Sequence, residues 1–459
     1  IREDWAWIYE VHMLNRDYMY QCMYLYLATG KRQYADYIRT MLLDYAGKYA
    51  GWFEHNSGRK ATDQHSGKAF AQSLDEANWA TKVAMAYMAI KPVLSKEEVK
   101  AIEEGYLQPA ATLLLHRPAG ANWQMWHNSG LAALGIALEN DSIVDVAINK
   151  DKYGYHYLIG KHKNSDGWIN EGSPHYHYYP LEALLFTANA VKCRGIKLFD
   201  KDLHDMFVEP VKGTYPDLSF PAHSDGWYGA NLLSQSALYE VGNARYNDPF
   251  LKRVLELTYA QKKRLDPEAL LSNQLIKASE ESLLQKSYSF DTSGFCLLRS
   301  DTRTVVLKFG GEGIGHGHPD KLSITIHDGK NELVSDFGTS GYGVPDYLKW
   351  YKRTLSHNTV TVDAKDQKRS VGKLLKFNPR SDGGYAEAET TTAYPGVRMK
   401  RSLDLKGTHL QDVYTCTSDS SHLYEYVILF NEKPLMDGQP TATTLTGSEV
   451  HERIHNIFS

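Results

Sequence analysis

Near residue 287 the hydrophobic repeat of the chain changes period, and that change limits the architecture more than any other feature of the sequence. Up to about Lys286 the apolar residues recur at helical spacing, as in Tyr20, Met23, Tyr24 and Leu27 and again in Val83, Ala86, Tyr87 and Ile90. The spacing predicts helices over about 5–29, 33–49, 75–91, 96–115, 124–138, 142–150, 179–194 and 230–261, divided by punctuation such as Arg117-Pro118-Ala119-Gly120. From about Ser287 the pattern becomes short β-branched runs of period two: Thr304–Leu307, Leu322–Ile326, Asn358–Val362 and Tyr424–Phe430. Asp328-Gly329 between such runs is a hairpin turn signal. A helical run followed by a strand run gives an α+β multidomain chain, with a helical bundle or (α/α) toroid over 1–286 and an antiparallel β-sandwich over 287–459. No fixed repeat period argues for a solenoid. The last residues before Ser459 lack a closing strand pair, so further sandwich is expected beyond them.

Charge narrows the partners. With 51 Lys and Arg against 55 Asp and Glu, the net charge of −4 does not suit a nucleic-acid coat or a polybasic membrane binder. The most apolar stretches, Leu131–Leu138 and Leu181–Ala190, are shorter than the roughly 20 residues that span a bilayer. Cys22, Cys193, Cys296 and Cys416 lie far apart, supplying neither a disulfide framework nor a cysteine metal site. No charged-then-apolar leader is visible at Ile1, so location has to be argued from function. The bias of 31 Tyr against 14 Phe, with 9 Trp, provides rings with a polar handle, suited to stacking on sugars or to a tyrosine-rich core.

Four clusters could carry chemistry. Asn122-Trp123 with His127-Asn128 opens a helix, where an Asn commonly serves only as an N-cap. Gly167 to Tyr179 contains Glu171, Ser173, His175, Tyr176 and His177, whose polar ring atoms all need partners if buried. A tyrosine there can act as acid or base, or merely stack as part of a rim. Gly310 to Asp320 presents His316 and His318 two residues apart on an extended segment, able to ligate a metal or flank a substrate, and lacks the Lys-Ser/Thr of a phosphate loop. Asp336, in Ser335-Asp336-Phe337-Gly338, and His357, in Ser356-His357-Asn358-Thr359, complete with a histidine of the third cluster an N, N, O donor set that zinc accepts. His357 alone reads equally as a satisfied core histidine.

Five motifs in this order resemble the heparinase II/III-like polysaccharide lyases: Asn122-Trp123 with Ser129-Gly130-Leu131, Glu171 to His177, Gly315 to Ser323, Asp336-Phe337-Gly338, and Ser356 to Val360. The resemblance implies a helical toroid followed by a β-sandwich, and β-elimination across a uronic acid. The C5 hydrogen beside a charged carboxylate is barely acidic, so the carboxylate has to be neutralised as electron density moves onto it. The resemblance gives that role to Asn122, with His127 the nearest candidate partner. It makes Tyr176 the catalytic tyrosine, which serves as both base and acid if both protons move on one face of the ring. If they move on opposite faces, His127 or His316 is the base and Tyr176 the acid.

By the same resemblance His318, Asp336 and His357 hold one structural divalent metal, zinc first and calcium second, with no organic cofactor, while His316 faces the sugar. Trp123, His175, Tyr342 and Arg353 are the candidate substrate-binding residues. Arg353 could pair with a substrate carboxylate or belong to an ion pair of the sandwich. The implied partner is an acidic polysaccharide, with no nucleic acid or membrane, and a homodimer is one assembly it allows. Since the recognised motifs carry no run of Lys and Arg, alginate or another polyuronate is the first expectation, ahead of a heparan-sulfate-type or ulvan substrate. Secretion or a periplasmic location follows from that class. The competing readings are a glycoside hydrolase using Glu171 with Asp225 or Glu312, and a carbohydrate-binding protein without catalysis.

Overall fold

The protein was analysed as a computed structural model that describes residues 2–56, 65–271, 274–280, 283, 286–311 and 315–435. The helical part comprises α1 (Arg2–Thr29), α2 (Arg32–Tyr49), α3 (Ser73–Ile90), α4 (Lys96–Ile102), α5 (Gln108–Leu115), α6 (Ala121–Ala137), α7 (Asp141–Asn149), α8 (Tyr155–His162), α9 (His175–Val191), α10 (Lys201–Val211), α11 (Ser236–Tyr246) and α12 (Pro249–Gln261). Helices α1, α3, α6, α9 and α11 pack successively side by side, and α2, α4 with α5, α7, α10 and α12 alternate behind them as the outer layer of an (α/α) toroid. Helix α6 is enclosed all round, with every residue from Gln124 to Gly135 buried; its polar Gln124 donates to Asn128 Oδ1 at 2.9 Å, and Asn128 donates to the Tyr153 carbonyl at 2.6 Å. Gly130 permits the close approach of its neighbours, since a Cβ there would lie 2.8 Å from Leu114 Cδ1 and 3.2 Å from the Ala77 carbonyl oxygen.

The helical spacing locates most of these elements, with physical exceptions. The run over 96–115 contains a π-helical turn at Glu103–Leu107. The run over 230–261 divides where Asn247 turns left-handed (φ 50°) and Asp248 caps α12, accepting from the Phe250 N–H at 2.6 Å ahead of Pro249. Helices α8 and α10 lie outside the predicted spans; α8 buries Tyr155, Leu158, Ile159 and His162, and α10 buries Leu203, Met206, Phe207 and Val211.

The strand part comprises β1 (Tyr288–Phe290), β2 (Phe295–Arg299), β3 (Thr304–Lys308), β4 (Ser323–His327), β5 (Glu332–Val334), β6 (Val360–Val362), β7 (Lys373–Arg380), β8 (Gly383–Tyr394), β9 (Val397–Lys406), β10 (His409–Ser418) and β11 (Tyr424–Tyr426). One antiparallel sheet runs β10-β9-β8-β2-β3-β4-β5, with β1 paired to β2 and β7 to β8, while β6 and β11 form a second, two-stranded sheet. Strands β2 and β3 are buried on both faces because period two feeds two cores. Phe295, Leu297 and Val306 join the core of the helices, whereas Cys296, Leu298, Val305 and Leu307 pack with Val360, Val362, Leu403 and Leu405 between the sheets. The Asp328-Gly329 turn forms as its sequence predicts: Asp328 Oδ1 accepts from the Lys330 and Asn331 N–H groups at 2.9 and 2.8 Å, and Gly329 adopts φ 92°.

Buried Arg299 fastens the two parts together, donating to the carbonyls of Lys212, Thr214 and Lys286 at 2.7, 2.8 and 2.6 Å. The segment it grips continues over the sheet, where the Tyr215 and Thr325 hydroxyls lie 2.6 Å apart and Lys308 Nζ donates to Ser224 Oγ at 2.8 Å. All four cysteines are free. Among the described residues no helix is long and apolar enough to cross a membrane.

Candidate active site

Asn122 is not the cap of α6. Gly120 occupies that position without a side-chain cap, and Ala121 enters the helix at φ 49°. The capping acceptor comes from elsewhere: Glu171, in the loop before α9, takes the Asn122 backbone N–H at 3.1 Å and Asn122 Nδ2 at 2.6 Å. A carboxylate at the positive end of a helix is well placed, and it fixes the Asn122 amide at the wall of a cleft of about 620 Å³. That cleft is lined by Asn122, Trp123, Glu171 and His316 together with α8 and the loop before it. Glu171 is buried, which pushes its pKa up, and the Asn122 hydrogen bond opposes the rise.

A second carboxylate organises the opposite wall. Asp225, in the loop between α10 and α11, accepts from His316 Nδ1 at 3.0 Å, His318 Nε2 at 2.9 Å, Tyr342 Oη at 3.0 Å and Tyr347 Oη at 2.9 Å. Burial alone would raise the Asp225 pKa, but the hydrogen bonds from His316 and His318 hold it well below the usual carboxylate range. An ionised carboxylate only accepts, so His316 donates through Nδ1, and its Nε2 lies 3.6 Å from Glu171 Oε2. The Tyr176 ring stacks on His316 with centroids 3.6 Å apart and planes at 15°. The Tyr176 hydroxyl lies 2.6 Å from that of Tyr342. Burial pushes the Tyr176 pKa up, with the Tyr342 hydrogen bond opposing it, so Tyr176 is a neutral phenol.

Asn122, Tyr176, His316 and Tyr342 thus belong to one connected array, linked through Glu171 and Asp225. Asp225 was missed as an organising group; the polar, glycine-containing run His223-Ser224-Asp225-Gly226-Trp227 is the signal that could have found it. Its loop is locked by a close approach: Thr339 N donates to the Gly226 carbonyl at 3.1 Å, and at Gly338 (φ 60°) a Cβ would fall 1.9 Å from that same oxygen. The array also answers the hydrolase reading, because the His316 ring stands between Glu171 and Asp225 and both carboxylates are hydrogen-bonded. Glu312 lies outside the described residues.

Two candidates are corrected. His127 is fully buried in α6, its pKa pushed down to about 4 by burial, and it does not line the cleft, so it does not partner Asn122 at a substrate. Arg353 donates through Nε to Asp366 at 2.6 Å, adopting the sandwich ion-pair alternative and not lining the cleft. Trp123 lines the cleft, edge-on to His65. His175 is exposed at the start of α9, its ring edge-on to Tyr176 and Trp227, and it does not line the cleft.

The metal-binding candidates stand behind His316. Asp320, Asp336 and His357, all buried, offer donor atoms within 4.8 Å of one another. Lys308 and Lys321 both contact the Asp320 carboxylate and neutralise it. Asp336 Oδ2 lies 3.0 Å from His357 Nδ1, and the His318 and His357 rings are 5.2 Å apart. Burial would raise the Asp336 pKa, but neighbouring His357 holds it below the usual range. Buried His318 Nδ1 and His357 Nε2 have no hydrogen-bond partner among the described residues. Buried imidazole nitrogens of that kind, beside a carboxylate, fit a divalent cation.

Comparison with known proteins agrees with this geometry. Residues 11–208 match the family model described as alginate lyase, and 283–434 match that described as heparinase II/III-like, C-terminal. An alginate lyase of Stenotrophomonas maltophilia is 29% identical over 92% of this chain and 63% of its own length. An exo-oligoalginate lyase of Saccharophagus degradans is 26% identical over 93% of this chain and 64% of its own length. The chain therefore spans just under two thirds of these curated relatives. Among solved structures, a heparinase III superposes with a TM-score of 0.66 at 16% identity, covering 94% of this chain and 68% of that one. The heparan sulfate lyase HepC of Pedobacter heparinus gives 0.59 at 19% identity, covering 85% and 59%. These likenesses establish the toroid-plus-sandwich fold.

Proposed function

We propose that this chain, whose residues 11–208 and 283–434 match the alginate lyase and heparinase II/III-like C-terminal family models, is a polysaccharide lyase that cleaves a uronic-acid polysaccharide by β-elimination, with alginate or another polyuronate as substrate. The observation that carries the reading is the array in which Asn122 and His316 line one cleft and Tyr176 stacks on His316, tied by Glu171 and Asp225. A uronate carboxylate placed at the Asn122 amide, beside the positive end of α6, holds the charge that develops when C5 loses its proton. His316 accepts that proton on Nε2, since Asp225 keeps Nδ1 protonated and, with Glu171, flanks the imidazolium that results. Tyr176, held neutral by burial, gives its proton to the leaving O4.

His318, Asp336 and His357 are the residues that would hold one structural divalent cation, zinc first. When bound, such an ion supplies a positive charge that orders the loop bearing His316 and His318. A secreted or periplasmic location suits a polymeric substrate. The alginate lyase relatives favour a polyuronate over a glycosaminoglycan.

The test is a panel of alginate, other polyuronates and glycosaminoglycans, followed by ultraviolet absorbance of the C4–C5 double bond. Absorbance growing with alginate is the expected result. Reducing ends without the chromophore would mean hydrolysis, and neither signal would leave only binding; both outcomes overturn the proposal.

A further inference from the structure

The recognised motifs bring no cation to the cleft, yet the folded cleft is cationic. Lys152, in the loop between α7 and α8, and Lys161, on α8, line the same space as Asn122 and Trp123, with Tyr153, Tyr157 and His162 beside them. Both lysines are exposed, and neither has a carboxylate partner among the described residues. The single acidic side chain on the lining, Glu171, is buried and already bound by Asn122. Lys161 Nζ rests 5.4 Å from the centroid of the Tyr157 ring, one helical turn back on the same face of α8. An aromatic face next to an unpaired ammonium is suited to a sugar ring that bears an anion. Lys152 holds φ 64°, a conformation unfavourable to a long side chain and frequent where a site demands a fixed direction.

We propose that Lys152 and Lys161, with Tyr157, form a second carboxylate subsite that binds the uronate next to the one cleaved. This rests on the lyase reading and deepens it. Asn122 serves the carboxylate at the reacting ring, so the two ammonium groups on the same cleft await another anion. A polymer whose consecutive rings all carry carboxylates supplies it, whereas one that alternates uronate with an unsulfated amino sugar does not. The subsite is therefore a determinant of substrate choice.

The experiment compares the wild type with Lys152→Gln, Lys161→Gln and the double variant on an oligouronate and on an unsulfated oligosaccharide alternating uronate and hexosamine. Rates are read from the double-bond absorbance at several salt concentrations. On the oligouronate KM should rise about fivefold for each lysine, the upper range for a solvent-exposed ion pair, with a shallower salt dependence and the change falling on KM more than kcat. The alternating oligosaccharide should show no such rise. Calorimetric titration of the saturated oligouronate into Tyr176→Phe, with and without the lysine substitutions, reads the same subsite without turnover. If the wild type made no double bond, the lyase reading would fall while this titration still judged the subsite. A double variant whose KM and Kd stay within twofold of the parent, or one that loses equally on both oligosaccharides, overturns the proposal.

Discussion

Replacing Asp225 by Asn separates the organising role of this carboxylate from mere packing, because the two side chains have nearly the same shape. Asp225 Oδ2 receives His316, Tyr342 and Tyr347, and Oδ1 receives His318. An amide offers one acceptor oxygen and turns a donating NH₂ toward whichever group the oxygen does not face. At least one donor-to-donor contact results, at a site 1% exposed. Hydrogen bonds to a charged group contribute about 1.5–3 kcal/mol each, and a buried unpaired donor costs about 1–3 kcal/mol. Relaxation spreads the loss, so a destabilisation of about 2–4 kcal/mol is expected. The catalytic effect should exceed it: without an acceptor-only partner His316 no longer holds its proton on Nδ1, and general-base assistance on the order of 10²–10⁴ is lost. The assay is initial rate by double-bond absorbance, with chemical unfolding and circular dichroism to show that the variant is folded. Tyr347→Phe is the control, removing one donor while leaving the charge, and should cost less in both measures. A folded Asp225→Asn enzyme within threefold of wild-type kcat would refute the reasoning.

Other expectations follow from the same geometry. Tyr176→Phe should abolish turnover with the fold intact, and Asn122→Ala should lower kcat by about 10²–10³, the range for loss of one oxyanion donor; both are read by the double-bond assay. Arg353→Ala should leave kcat and KM as they are and cost no more than about 1 kcal/mol in unfolding experiments, since its pair with Asp366 is partly exposed. Elemental analysis of His357→Ala should show loss of a bound divalent ion present in the wild type, and unchanged content would remove His357 as a ligand. Buried His177 is neutral by geometry, with Nε2 donating to the Met206 carbonyl and Nδ1 accepting from Ile169 N. Burial lowers its pKa from 6.5 to about 4. The unfolded chain therefore takes up the proton first, and stability falls as pH drops through that window by up to about 3 kcal/mol. Denaturant titrations at pH 7 and pH 5 should show a smaller decline for His177→Gln than for the wild type.

Where one face of an element decides its burial, the sequence was legible. Val83, Ala86, Tyr87 and Ile90 all lie in the core of α3, and Thr304–Leu307 lies within β3. Strands β8 to β10 went unpredicted although Val397, Met399, Leu403 and Leu405 alternate clearly. Arg401 interrupts that series with a charge that is nonetheless fully buried, paired with Asp412 and donating to the Leu322 and Asn358 carbonyls. At the site, motif residues such as Asn122, Tyr176 and His316 could be found because their chemistry is concentrated in short runs. Lys152 and Lys161 could not, since each is an ordinary surface-type residue until the chain brings it to the cleft. His127 misled for the opposite reason: five residues from Asn122 on a helix enclosed on every side, its ring turns into the interior.

Asp225 stands on a loop of the helical part, while His316, His318, Tyr342 and Tyr347 all come from the strand part. Neither half contains a finished catalytic centre, so the two are not interchangeable modules. Recombining the helices of one such enzyme with the strands of another would succeed only if the graft preserved the seam to within hydrogen-bonding distance, and homologous exchange should therefore be sparse across it.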